Sequence, residues 1–522
     1  MQARLTNSSS CMDLVKVVAV ICATLLPAAA HARSCEPVPG ALVVATDGDD
    51  GAAGTLAAPL RTVAAAIRRA PPGGTVAVRG GIYRESLPDL TKPLTLSAHA
   101  CELARLRGSV VVTDWRRDGD GWSAPWPHTF CTDCVDPRNI DPARPHAGLP
   151  DQAFVDDVPL VQVAAPADLK PGTFAVADGR LFVGSDPAGT VIEAVRHERA
   201  LRLLKGSEGS RVAGLTFERY APTAQPGLGG MVIGDADQLL FENNRFLFSS
   251  IKGLSIYGQE ATVRGNTFAD NGMMGLEAWR ADGLLVSRNR FERNNREGFV
   301  VTGTVSEAAG AKIVESDTVH VADNRFESNA ATGLWLDISV TRANVVRNVA
   351  RGNARHGVFV ELSHDVAVAS NRIADNRTSG IAIADSSEVA VWNNAFAANG
   401  VAVLVQDDGR VNTDARTLAR GATWTSRGHA IHDNAITGPG LALWVRDYAE
   451  RLRPGEMVRS FSGNRVSEVV PFAEWWDGGK RVFETLAAFR AATGLGGGTA
   501  PDVPANVLLA LGVEVFEPRN TE

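Results

Sequence analysis

ATGLWLDISVTRANVVRNVARGNARHGVFVELSHD, residues 331–365, contains one short unit twice: Gly333-Leu334-Trp335-Leu336-Asp337 and Gly357-Val358-Phe359-Val360-Glu361. In each copy the apolar residues alternate, the period of a strand with one face against a core. Leu334, Leu336, Val358 and Val360 therefore point inward, and Trp335, Asp337, Phe359 and Glu361 outward on one shared face. The two units are 24 residues apart, and that interval recurs along the chain. An Asn, a variable residue and then an apolar one appear at Asn244, Asn266, Asn289, Asn324, Asn348, Asn371, Asn394 and Asn434. A glycine nine residues later (Gly253, Gly275, Gly298, Gly333, Gly357, Gly380) opens each of the first six strands, and Gly400 and Gly440 follow at six. Short strands at such a period cannot bury their apolar side alone and must stack on copies of themselves. With Val, Ile and Phe strands between Asn and Gly corners, and no Leu consensus, the sequence predicts an all-β, right-handed parallel β-helix. The recurring Asn is expected to form an amide ladder at one corner.

The rest of the chain fits around this solenoid. Residues 1–32 read as an export signal: Arg4 and Lys16 precede the apolar Val17–Ala30, which is too short to span a bilayer, and Ala30-His31-Ala32 offers a cleavage site. Beyond it no stretch is expected to cross a membrane, and the protein is expected in the periplasm or outside the cell. Four cysteines remain, Cys35, Cys101, Cys131 and Cys134, an even number suited to an oxidising compartment. Three pairings are open, of which Cys35–Cys101 with Cys131–Cys134 is favoured. The formal net charge of −7 and the lack of a basic cluster argue against a nucleic-acid partner.

Residues 33–109 read as an N-terminal cap with the first rungs, Thr62–Arg69 forming a short amphipathic helix over the open end. Asp47-Gly48-Asp49-Asp50-Gly51 is acidic enough to invite Ca²⁺ but lacks EF-hand spacing, so no cofactor is assigned. Across 110–200 the period lapses into short alternating strands and turns, an inserted antiparallel β domain. The repeats fill 201–470. The tail, 471–522, holds a helical Glu484–Ala492 and closes the far end. Extra residues after Gly298 and Gly400 map to loops on one side, where repeat proteins bind.

The outward face carries the chemistry. Tyr257, Trp279, Trp335 and Phe359 form an exposed aromatic strip suited to stacking on sugars, with Glu277, Arg280, His356 and His364 beside it. Asp337 and Glu361 occupy equivalent positions on neighbouring rungs, so their carboxyls are expected about 5 Å apart. That is the spacing of retaining glycosidases, roughly 5–5.5 Å, rather than of inverting ones. Mutual repulsion raises the pKa of one member, as a general acid requires.

At these residues the chain resembles β-helical glycosidases of glycoside hydrolase family 120. The resemblance rests on the GLWLD…GVFVE pair, the export signal, the early insert and the C-terminal ETLAAFRAATG. It implies action on β-xylosides or related glycans, with Asp337 as nucleophile and Glu361 as acid/base. Two other classes remain open on this fold. A polysaccharide lyase or uronan epimerase would use Arg280, His356 or His364 with a uronate. A non-catalytic protein would only bind a carbohydrate polymer or oligosaccharide.

Overall fold

The computed structural model describes residues 38–495, apart from 132, 224–228, 302–306, 468 and 470. Three sheets of 13, 12 and 12 strands run side by side along the chain, parallel from rung to rung except for one terminal antiparallel pair, Ala473–Trp476 with Lys480–Phe483. A single rung takes one strand from each, as in His320–Ala322, Arg325–Glu327 and Thr332–Asp337. The expected right-handed parallel β-helix is the fold. Inward positions stack into columns: Phe246, Phe268, Phe291 and Phe326 are fully buried, with successive ring centroids 4.8 Å apart, the spacing of paired strands.

The predicted Asn ladder is present. Asn324 N and Nδ2 donate to Asn348 Oδ1 at 2.9 and 3.0 Å, and Nδ2 also donates to Val286 O at 2.9 Å. The same pattern extends one rung further, to Asn464. A second ladder runs through Asn271, Asn294, Asn329, Asn353, Asn376 and Asn399, each five residues after a member of the first. It accounts for the strand-opening glycines. A Cβ on Gly333 would sit 2.9 Å from Asn353 Nδ2 and 2.6 Å from Gly357 O. Backbone there leaves no room for a side chain.

One rung departs from the sequence reading. The strand between Met274–Trp279 and Thr332–Asp337 is Ala309–Val314, opened by Gly310 rather than Gly298. The extra residues therefore precede this strand instead of following it. Gly298 lies in a turn at φ +80°, its would-be Cβ 3.0 Å from Arg144 Cγ. Further on, Val403 pairs with Ile381, so Ala402 rather than Gly400 takes the place of Gly380.

At the N-terminal end the helix is Val63–Arg69, with Thr62 Oγ1 accepting from Ala65 N and Val63, Ala66 and Ile67 buried. Asp50 in the acidic loop accepts from Arg61 N, Thr62 N and Thr62 Oγ1 at 2.8–2.9 Å, which ties its oxygens to the helix start. At the other end Leu486–Thr493 is helical, two residues later than expected, stopped by Gly494 in the left-handed region. Its Phe489 is fully buried among Phe461, Phe472, Trp475 and Phe483.

Strands between Ser109 and Val195 form two small, mainly antiparallel sheets. They are fastened to the solenoid by Glu193, which takes Arg107 Nη1 at 2.9 Å, Arg219 Nη1 at 2.7 Å and Ser109 Oγ at 2.7 Å. Burial pushes this carboxyl up, but Arg84, Ser109 and Arg107 outweigh it and hold the pKa at about 2. Cys131 and Cys134 are joined in a disulfide, Cα atoms 5.6 Å apart. Cys101 is also disulfide-bonded, while Cys35 and the signal segment lie outside the described residues.

Candidate active site

Parallel pairing fixes the outer face of the sheet that carries the glycine-opened strands. Glu277, Lys312, Trp335, Phe359 and Ala382 are consecutive partners in one column. One strand position to the side, Asp337 and Glu361 follow directly on the paired Leu336 and Val360, so they are neighbours across adjacent rungs. The expected juxtaposition of the two acids is in place. The expected exposure is not: Trp335 and Phe359 are each 4% exposed, Asp337 5% and Glu361 9%.

At Glu361 part of the cover comes from distant chain. Residues 408–427 leave the strand Val401–Asp407 and fold back over earlier rungs. Trp424 Nε1 donates to Ser339 Oγ at 2.9 Å, Arg416 pairs with Glu315 at 2.9 Å, and Arg420 with Asp282 at 3.0 Å. Arg410 from the start of this loop reaches Glu361 Oε1 at 2.7 Å and Asp385 Oδ2 at 2.8 Å. The other oxygen of Glu361 accepts from Trp335 Nε1 at 3.0 Å.

Lys312, Arg410 and Asp385 were not among the sequence candidates. Lys312 was legible in Gly310-Ala311-Lys312-Ile313-Val314, which repeats the strand unit 23 residues before Gly333. Its Nζ lies 2.9 Å from Asp337 Oδ2 and 3.9 Å from the Trp335 ring centroid. Burial pulls the Lys312 ammonium down, but Asp337, Glu307 and Glu361 together hold it above the usual lysine value. Asp337 Oδ1 accepts from Ile338 N at 2.8 Å. Glu361 is pushed up, first by burial and then by the charge of Asp337, with Arg410 and Lys312 opposing. Asp385, with no side-chain exposure, is raised to about 7 by burial, against the pull of Arg410.

The remaining candidates separate. Tyr257 Oη donates to Glu277 Oε2 at 3.1 Å and Lys252 Nζ lies 2.5 Å from Glu277 Oε1, a cluster drawn from the two strands before that of Lys312. Arg280 does not pair with Glu277. It points to Glu315, at 2.8 Å, from an exposed side chain. Trp279 is half-buried in the Asp337 column, two strands earlier. His356 is a packed core histidine: buried, 2.7 Å from Ser379 Oγ, its ring 4.9 Å from Phe359, and held by burial at a pKa of about 3. His364 Nδ1 is 2.9 Å from Ser387 Oγ, and the loop glycine Gly421 packs on its far side.

From rung to rung the charged groups are Lys252, Glu277, Lys312, Asp337, Glu361 and Asp385, and Arg410 reaches back from the loop after the next strand to bridge Glu361 and Asp385. Signs alternate from Lys252 to Asp337, and then three acids follow on successive rungs, Asp337, Glu361 and Asp385. A cavity of about 550 Å³ lies elsewhere, where Arg144 and His146 of the insert face Arg296 and Glu297.

Two family models match parts of the chain: "Right handed beta helix region" at residues 203–307 and "Periplasmic copper-binding protein (NosD)" at 300–436. Among the described residues, the one group of three metal-ligating side chains with ligand atoms close together is Cys131, Asp133 and Cys134. Its sulfurs are joined to each other, and it lies outside the second match, so the residues present do not fit a copper ion. A mannuronan C5-epimerase of Pseudomonas putida is 21% identical over 203 residues, 38% of this chain. The aligned stretch spans only 35% of that relative's length. Among solved structures, XylC in complex with xylose superposes with a TM-score of 0.60 at 16% identity, over 81% of this chain and 85% of that one. The A-module of the mannuronan C5-epimerase AlgE6 of Azotobacter vinelandii gives 0.46 at 14% identity, over 80% and 92%. No helix among the described residues is long and apolar enough to cross a membrane. Register, ladders and the XylC superposition agree on one conclusion: the chain is a right-handed parallel β-helix protein.

Proposed function

We propose that the protein is an exported, retaining glycoside hydrolase. The observation that carries the reading is the meeting of two buried carboxyl groups, Asp337 and Glu361, on adjacent rungs. Like charges on facing sheet positions are destabilising, and this pair is maintained with a cation on each flank, Lys312 against Asp337 and Arg410 against Glu361. The two acids have different surroundings, as a nucleophile and an acid/base must.

In the first step an Asp337 oxygen attacks the anomeric carbon. The C1–O bond to the leaving group breaks, and that oxygen takes the Glu361 proton. In the second, Glu361, now a carboxylate, accepts a proton from water as the water oxygen attacks C1 and Asp337 departs with its electron pair. The raised pKa of Glu361 supplies the proton for the first step. Lys312 Nζ, 2.9 Å from Asp337 Oδ2, holds the attacking carboxyl in place.

The sequence match to an epimerase favours a second reading, C5 proton abstraction from a uronate leading to epimerisation or elimination. Both are tested by digesting glycans and recording product mass and first-formed anomer by NMR. Hydrolysis adds one water, and retention supports the double displacement. An unsaturated product, or an inverted C5 with no cleavage, refutes the hydrolase.

A further inference from the structure

Among the cations near the two acids one is in no ion pair with a described residue. Lys312 and Arg410 each reach a carboxylate within 3 Å, as Lys252 does two strands before Lys312. Arg355, immediately before the strand His356–Glu361, has no ion pair and no side-chain hydrogen bond to any described residue. Its guanidinium carbon lies 5.4 Å from the Phe359 ring centroid and 6.0 Å from that of Trp335, while Lys312 Nζ lies 3.9 Å from the same Trp335 ring.

Two consequences follow. Cations cover the rings, and at 4% exposure neither offers an open face for a neutral sugar to stack on. Two of the four rings expected from the sequence to form a stacking strip, Trp335 and Phe359, are therefore closed to a sugar. Second, a guanidinium partly withdrawn from water and left without an anion carries an unreturned desolvation cost. Burial holds its pKa below the usual arginine value, the charge of Glu361 opposing. Rings support the cation from one side. Its donors, a planar fork suited to a carboxylate, are left for a ligand.

We infer that the sugar unit bound at Asp337 and Glu361 carries a carboxylate, held by Arg355, so that the substrates are hexuronosides rather than neutral glycosides. The cleavage chemistry rests on the hydrolase reading. The recognition of the carboxylate does not.

The test compares two aryl glycosides that differ only in a C6 carboxylate against a C6 hydroxymethyl. Wild-type protein is expected to prefer the uronide by on the order of 100-fold in kcat/KM. Arg355→Gln should collapse that ratio toward one, chiefly through KM. Arg355→Lys, which keeps charge and fold but not the fork, should restore part of it. Calorimetry with the free uronic acid and its neutral counterpart reads recognition without turnover, with binding of the acid alone expected, and lost in Arg355→Gln. A neutral glycoside hydrolysed equally well through Asp337 and Glu361 overturns this inference and leaves the hydrolase standing. Uronides converted to unsaturated or C5-inverted products overturn the hydrolase and leave Arg355 in its role. Uronate binding unchanged in a folded Arg355→Gln protein refutes the assignment outright.

Discussion

Replacing Lys312 by Met tests whether the charge string is energetically real. The side chain is 8% exposed and Asp337 5%, so neither charge is well hydrated. At 2.9 Å their gross attraction is roughly 6 kcal/mol for an effective dielectric constant of about 20. Much of that offsets the cost of withdrawing both charges from water. Removing the ammonium alone forfeits the attraction and leaves Asp337 beside Glu361 with no cation between its rung and Glu277, a loss of about 3–5 kcal/mol. Met fills a similar volume, so packing changes little. Chemical denaturation at neutral pH of wild type, Lys312→Met, Asp337→Asn and the double variant closes a cycle that isolates the pair. The double variant should lose less than the two single losses combined, by about 2 kcal/mol or more. Additive losses within about 0.5 kcal/mol would refute the pairing, and with it the role of Lys312 in holding Asp337 in place.

Asp337→Ala should abolish turnover, whereas Glu361→Ala should spare substrates with activated phenol leaving groups. Azide should then yield a glycosyl azide of retained configuration from the Glu361 variant, read by NMR, and full activity of either variant would reject the assigned roles. Asp385→Asn tests the acid under Arg410. A folded pKa of about 7 against an ordinary 3.8 means that the native state keeps a proton the unfolded chain releases. This group therefore stabilises less as pH rises from about 4 to 7, by up to about 1 kcal/mol per unit. The Asn variant should gain on wild type over that range, and parallel melting curves would count against it. Deleting residues 334–357, one whole rung, should preserve more soluble protein than deleting half of it, because half a rung turns every later inward side chain out of register.

The solenoid was readable because its parts can be satisfied only by copies of themselves. Asn348 needs an amide one rung on, and Phe291 needs a phenyl ring 4.8 Å away, so composition at fixed intervals reports tertiary contacts directly. The misplaced rung shows where this fails. Counting nine from Asn289 lands on a real glycine, Gly298, but that residue is glycine for its positive φ and its closeness to Arg144. The strand-opening glycine is Gly310, whose would-be Cβ meets Gly333 O at 2.6 Å and Asn329 Nδ2 at 2.9 Å. One insertion shifted the count, and Lys312 was lost from the column with it.

The site was half legible for a related reason. Alternation says that Asp337 and Glu361 leave the core on one face, and the repeat says that they are neighbours. Neither says what lies above them. Part of the cover at Glu361 comes from residues 408–427, and Arg410 reaches Glu361 from 49 residues downstream, a contact without periodicity. Burial then changes the meaning of every group on that face. An exposed acid pair would be screened and chemically ordinary. Under the loop the same pair needs Lys312 and Arg410 to persist, the aromatic rings become supports for cations, and an unpaired arginine becomes a request for an anion. In a solenoid each rung contributes one ionisable group to a shared line about 4.8 Å apart, so the signs along that line must alternate or be compensated from outside. Asp337, Glu361 and Asp385 are acids on successive rungs of that line, and their compensation comes from Lys312 on the rung before and from Arg410 in the loop.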